Sequence, residues 1–108
     1  MAAERVFNPV TLEAARLLGN RVALARRERR WTIAELAERV GASVVTIRKV
    51  ERGDPTVALG TALEAATLVG VTLFHEDPAR RSLEAEVVQA RLAMLPASVR
   101  RAVVDDDF

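Results

Sequence analysis

There is no cysteine in the 108 residues, so neither a disulfide framework nor a thiolate metal site can be built, which fits a cytoplasmic protein. No run of about 18 apolar residues occurs either, which excludes a membrane-spanning helix. The opening MAAERVFNPV lacks the cationic start and apolar stretch of a secretory signal. The only histidine, His75, sits in FHEDP beside Glu76 and Asp77. With no second histidine, no phosphate loop and no nucleophile-elbow pattern, the chain lacks the groups for catalysis, and neither cofactor nor metal is expected. Glycine (5) and proline (4) are scarce while half the residues are apolar, the balance of a mainly helical chain. At this length one domain with an appended segment can bury a core but not enclose an elaborate cleft.

The near-neutral total conceals an asymmetry. Residues 1–52 hold 11 Lys/Arg against 6 Asp/Glu, net +5, whereas residues 53–108 hold 5 against 9, net −4. The first half suits a polyanion; the second would repel one and suits solvent or a protein partner.

Helical periodicity runs through the chain. The spacing predicts a first helix from about Thr11 to Arg30, with Leu18, Val22 and Ala25 inward and a cationic end at Arg26, Arg27, Arg29 and Arg30. The second begins with Thr32 as N-cap and Glu35 to close a capping box, while Trp31 serves as a hydrophobic staple on Leu36. Leu36, Ala37 and Val40 form its inner face, and Gly41 carries the backbone through a tight turn. Ser43 caps a third helix whose Ile47 and Val50 continue the core, leaving Val44, Val45, Arg48 and Lys49 for other faces.

Two helices joined by about three residues around a glycine, the second offering short side chains at its N-terminal end, form the helix-turn-helix arrangement that lays a recognition helix in the major groove. Valine methyls can pack on the thymine methyl, and Arg or Lys can donate to guanine O6 and N7. Double-stranded DNA is therefore the expected ligand.

The segment LGNRVALARRERRWTIAELAERVGASVVTIRKVERGDP, Leu18 to Pro55, resembles the helix-turn-helix of the Xre and lambdoid phage repressor family. The resemblance implies that Val44, Val45 and Lys49 read bases, that Ser43, Thr46 and Arg52 contact phosphates, and that Glu51 pairs with Arg26. Where the family commonly has a phosphate-gripping Gln, this chain has Ile33, so that clamp passes to Thr32 or Arg30. Arg48 lies outside the family's usual contact set and reaches base or phosphate.

Beyond the third helix, GDPTVALGT, Gly53 to Thr61, resembles the corresponding segment of HipB-like antitoxins, the partners of HipA-like kinases. Gly60 within it weakens a helix start by about 1 kcal/mol relative to Ala, which predicts close backbone packing there. Gly70 ends a fourth helix, Val71 to Phe74 is a brief β-prone stretch, and Asp77-Pro78 opens a further helix to about Leu95. That helix carries Leu83, Val87, Ala90 and Met94 on one face, with Val88, Leu92 and Leu95 adjoining. Such a surface suits a second subunit or a partner. The tail resembles the endings of kinase-partnered antitoxins, which implies that Asp105, Asp106, Asp107 and Phe108 dock on the toxin.

The expected architecture is all-α, a five-helix repressor-like helix-turn-helix fold with an appended C-terminal helix and acidic tail; the helix-turn-helix DNA-binding domain is expected over 11–74, and the C-terminal helix and tail over 75–108. The expected function is that of a cytoplasmic, dimeric antitoxin that represses its own operon and binds a HipA-like kinase toxin. Two other readings fit the same residues: a stand-alone Xre-type repressor of phage or restriction-modification origin, and an interaction module that has lost DNA binding.

Overall fold

Short polar caps set where four of the five described helices begin, all but the fourth, which follows Ala58 with no side-chain cap. In the computed structural model, which describes residues 6–99, the helices are α1 (Pro9–Glu28), α2 (Ile33–Val40), α3 (Val44–Glu51), α4 (Leu59–Leu68) and α5 (Pro78–Ala93). No strand occurs among the described residues. Contacts divide the chain into two units at Leu73 and Phe74.

α1 starts two residues before the expected Thr11. The Asn8 side chain accepts from the Val10 N–H at 2.9 Å and Pro9 occupies the first turn, where its missing N–H costs nothing. The helix also stops short of Arg30, which takes a left-handed φ of 60° while the Trp31 N–H reaches back to the Arg26 carbonyl. α2 begins as expected at Thr32, whose hydroxyl accepts from the Glu35 N–H and donates to the Glu35 carboxylate. Gly41, at φ 79°, lets its own N–H and that of Ala42 return to the Ala37 carbonyl, a closure that a Cβ would strain.

The first unit closes around Val22, Leu36, Ala37, Ile47, Val50, Ala65, Ala66 and Val69, all buried. Full burial of a Val, Leu or Ile side chain contributes roughly 1.5–3 kcal/mol, so α1 to α4 are held mainly by this shared apolar contact. Trp31 packs against the same cluster. Its ring lies under the Arg39 guanidinium at 4.1 Å and that of Arg29 at 5.4 Å, within the range of cation–π attraction.

Where α1 meets α3, a glycine sets the approach. A Cβ on Gly19 would stand 2.4 Å from the Val50 carbonyl oxygen and 2.8 Å from that of Glu51. Gly53, which ends α3 at φ 77°, comes equally near the α1 backbone: its Cβ would fall 2.6 Å from the Arg16 Cα. Close packing was expected instead at Gly60, but a Cβ there meets nothing within 4 Å, because the first turn of α4 faces open space.

The β-prone stretch forms no ladder, since no strand among the described residues is there to pair with it. Gly70, at φ 82°, lets the Val71 N–H return to the Ala66 carbonyl. Val71 and Leu73 then pack on the core of the first unit.

In the second unit, Asp77 caps α5 by accepting from the Ala79 N–H at 2.9 Å. The helix ends at Ala93 rather than Leu95, with Met94 as its C-cap. His75 Nε2 lies 2.6 Å from the Glu84 carboxylate. No residue of α5 is buried: Leu83, Val87, Val88 and Leu92 are each about half exposed and Met94 is more so. Asp105, Asp106, Asp107 and Phe108 lie outside the described residues.

Candidate nucleic-acid interface

α3 has one face spent on the core and one left over. Ile47 and Val50 are buried, so positions three and four apart on the opposite side share a stripe. Val45, Arg48, Lys49 and Arg52 fall on it, all exposed, with Val45 61% accessible. Val44 does not join them. It lies three residues before Ile47, and its side chain is half-buried against the core, a correction to the expectation that both valines stand clear of it.

The hydroxyls at the start of α3 form a small network. Ser43 Oγ accepts from the Thr46 N–H at 3.1 Å and shares a 2.9 Å hydrogen bond with Thr46 Oγ1. Two hydroxyl protons serve one mutual bond, so one proton of the pair is left to donate outward. Thr32 stands differently, because its proton is committed to a carboxylate oxygen of Glu35 at 3.3 Å. That carboxylate would also repel a phosphate. Arg30, exposed, has a guanidinium with no hydrogen-bond partner among the described residues.

The four arginines at the end of α1 divide, among the described residues, into two with partners and two without. Arg26 is buried, only 7% exposed. Its Nε and Nη2 donate to the two Glu51 oxygens at 2.7 and 3.0 Å, and its Nη1 donates to the Trp31 carbonyl at 2.8 Å. The hydrogen bonds to Glu51 raise its pKa above the ordinary value, against the opposing effect of burial. Arg29 Nε donates to the Val69 carbonyl at the end of α4, 2.9 Å away, satisfying an otherwise orphaned helix terminus. Arg27 and Arg30 are exposed. A cationic helix end thus supplies two structural ties and two free charges.

The loop after α3 is fastened from within. Asp54 Oδ1 accepts from the Thr56 hydroxyl at 2.6 Å and from the Thr56 N–H at 2.8 Å. These bonds hold its carboxyl below the usual carboxylate range, with Lys49 and Arg52 adding their charge in the same direction. Asp54 therefore stays ionised beside two cations of the exposed stripe.

Ile33 packs on the core and helps to line a cleft of about 490 Å³ between α1 and α3, together with Arg27, Arg48 and Arg52. Sequence reasoning passed over Arg27 and Arg29 because a run of arginines does not say which have partners. It passed over Gly19 as well, although a mid-helix glycine costs about 1 kcal/mol relative to Ala and usually has a packing reason.

No helix among the described residues is long and apolar enough to cross a membrane. No curated protein and no solved structure gives a significant match. Residues 17–77, which run from the middle of α1 through α4 and the segment after it, match the model of the helix-turn-helix domain. That span is more than half of the 108 residues, and the two helices it centres on are α2 and α3, joined through Gly41; the chain belongs to the helix-turn-helix domain family.

Proposed function

We propose that the chain binds double-stranded DNA through α3 and regulates transcription as a dimeric repressor of its own operon. The observation that carries this reading is the exposed stripe of Val45, Arg48, Lys49 and Arg52 on a capped helix whose other face is locked into the core. An α-helix fits the major groove. There Lys49 and Arg48 can donate to guanine O6 and N7, while Val45, with the exposed part of Val44, meets thymine methyls. Arg52, Arg30 and the spare proton of the Ser43–Thr46 pair would contact phosphates, which position the helix without reading sequence.

The dimer rests on α5, whose apolar face is uncovered among the described residues. Set antiparallel to a second copy, that face brings Leu83 opposite Met94 and Val87 opposite Ala90. Glu84 then falls opposite Arg91 on the flank, so the charges favour a second copy of this helix as the occupant. A two-fold protein requires a palindromic site with half-sites about one DNA turn apart.

Within this reading the chain is an antitoxin for a HipA-like kinase. What supports that is GDPTVALGT, Gly53 to Thr61, together with the acidic ending through Phe108. A mobility-shift selection from a randomised duplex pool tests the DNA reading: a recovered palindrome supports it, and a pool bound without sequence enrichment contradicts it. A kinase-like reading frame adjoining this one, whose product co-purifies with the full chain, supports the antitoxin role. If no such frame is present, a stand-alone repressor is left.

A further inference from the structure

The cleft between α1 and α3 concentrates charge that the fold does not use. Arg27, Arg48 and Arg52 line it, and none of the three guanidinium groups has a hydrogen bond or ion pair among the described residues. The one acid in the lining is Glu51, whose two oxygens are already taken by Arg26. Two uncompensated cations, Arg27 and Arg48, and a third, Arg52, whose charge also acts on Asp54, therefore line it alongside Leu24 and Ile33, and such a site favours an anion carrying an apolar ring or sugar.

We propose that this cleft is a binding site for a phosphate ester, the sugar–phosphate backbone of the operator strand that flanks the bases read by α3, with Arg27 as its principal grip. The proposal rests on the DNA reading above. Arg48 and Arg52 belong both to the cleft and to the exposed stripe of α3, so whatever fills the cleft lies at the edge of the surface that would enter the groove. Leu24 and Ile33 offer a surface for the deoxyribose, and Arg27 supplies a forked donor for the phosphate oxygens. A free nucleotide has the same chemistry and is the competing source.

The test uses the full chain and the duplex that it recovers from a randomised pool, titrated by fluorescence anisotropy at several KCl concentrations. Arg27→Ala should weaken binding about five- to tenfold and lower the salt slope by about one. Arg27→Lys should keep the slope and recover part of the affinity, since it retains the charge but not the fork. Duplexes carrying single methylphosphonate linkages locate the contact: one linkage per half-site should cost the wild type about what Arg27→Ala costs, and cost Arg27→Ala itself almost nothing. The melting temperature of the variant should not move, because Arg27 holds nothing together in the fold.

Wild-type affinity and salt slope in Arg27→Ala would overturn the proposal, as would a methylphosphonate scan in which no linkage loses its cost in that variant. In either case binding by the wild type leaves the DNA reading standing. A wild type that binds no duplex even at low salt removes both. The second arm titrates ATP and thymidine monophosphate by calorimetry. Binding of either that Arg27→Ala abolishes, with duplex affinity unchanged, would assign the cleft to a free nucleotide and overturn the backbone assignment.

Discussion

Arg26 and Glu51, 25 residues apart in the chain, meet through two hydrogen bonds of 2.7 and 3.0 Å, with the side chain of each less than a tenth exposed. The third donation of Arg26, to the Trp31 carbonyl, joins the turn before α2 to the same point. One side chain thus ties α1, the α1–α2 turn and the end of α3 together, and it fixes how α3 is held against α1.

Removing Glu51 leaves Arg26 buried with a single partner. Breaking a buried pair from one side costs about 3–5 kcal/mol, well above the roughly 1 kcal/mol of an exposed pair. Glu51→Ala should therefore lower the urea midpoint steeply. The raised pKa of Arg26 means that the pair's contribution is present below the ordinary arginine value and is lost only as pH rises through the still higher folded value. The effect of Glu51→Ala should accordingly be constant from neutral to mildly alkaline pH. A midpoint within error of the wild type would show the pair to be solvated.

Two glycines should respond in opposite directions to the same substitution. Gly19→Ala drives a Cβ into the carbonyls of Val50 and Glu51 and should destabilise the domain by about 1–3 kcal/mol. Gly60→Ala adds a methyl to open space in the first turn of α4 and should stabilise by roughly 0.5–1 kcal/mol. Thermal melts of the two variants side by side check the sign of each.

Asp54 should titrate below an ordinary aspartate because Thr56 donates to it twice. Its stabilising contribution is present above the unfolded pKa and lost as pH falls through the depressed folded value. Thr56→Val removes the hydroxyl donor and should move the carboxyl midpoint, followed by NMR, upward toward the usual range. An unmoved midpoint would assign the depression to the backbone N–H at position 56 and the charges of Lys49 and Arg52 instead.

Charged substitutions on α5 test the proposed dimer. Leu83→Glu and Val87→Glu alter exposed positions and should leave the melt of the first unit intact while converting a dimer to a monomer in sedimentation. Operator affinity should fall with them, since each half-site is then bound alone. A dimer that survives both substitutions would place the two-fold contact elsewhere.

What was legible in the sequence is what is decided locally. Thr32, Gly41, Ser43 and Asp77 each act within three or four residues of themselves, and their patterns mark the starts of α2, α3 and α5 and the turn between α2 and α3. The start of α1 was missed because the Asn8–Pro9 cap precedes the apolar period that marked the helix. Val71 to Phe74 has the composition of a strand, but a strand needs a partner, which composition does not supply. Gly19 and Gly60 look alike in sequence, and only the approach of α3 separates them. Val44 was assigned outward by counting from Ile47, yet a residue three positions earlier lies beside the core. The fates of Arg26, Arg27, Arg29 and Arg30 depend on partners as far away as Val69, and nothing in a run of arginines distinguishes them.

The exposed stripe of α3 is where the proposed operator reading stands or falls, and in that proposal Lys49 and Arg52 divide its two tasks. On the selected operator, Lys49→Ala should lose about 1–3 kcal/mol and relax the preference at one base pair. Arg52→Ala should weaken specific and unrelated duplexes alike and lower the salt slope by about one. The most direct measurement is therefore the affinity of the wild type and Lys49→Ala for the operator and for every single-base variant of it, at fixed salt. A loss confined to the operator, with discrimination vanishing at one position in each half-site, is the result expected if α3 reads bases. An equal loss on every duplex, with all preferences intact, would contradict it.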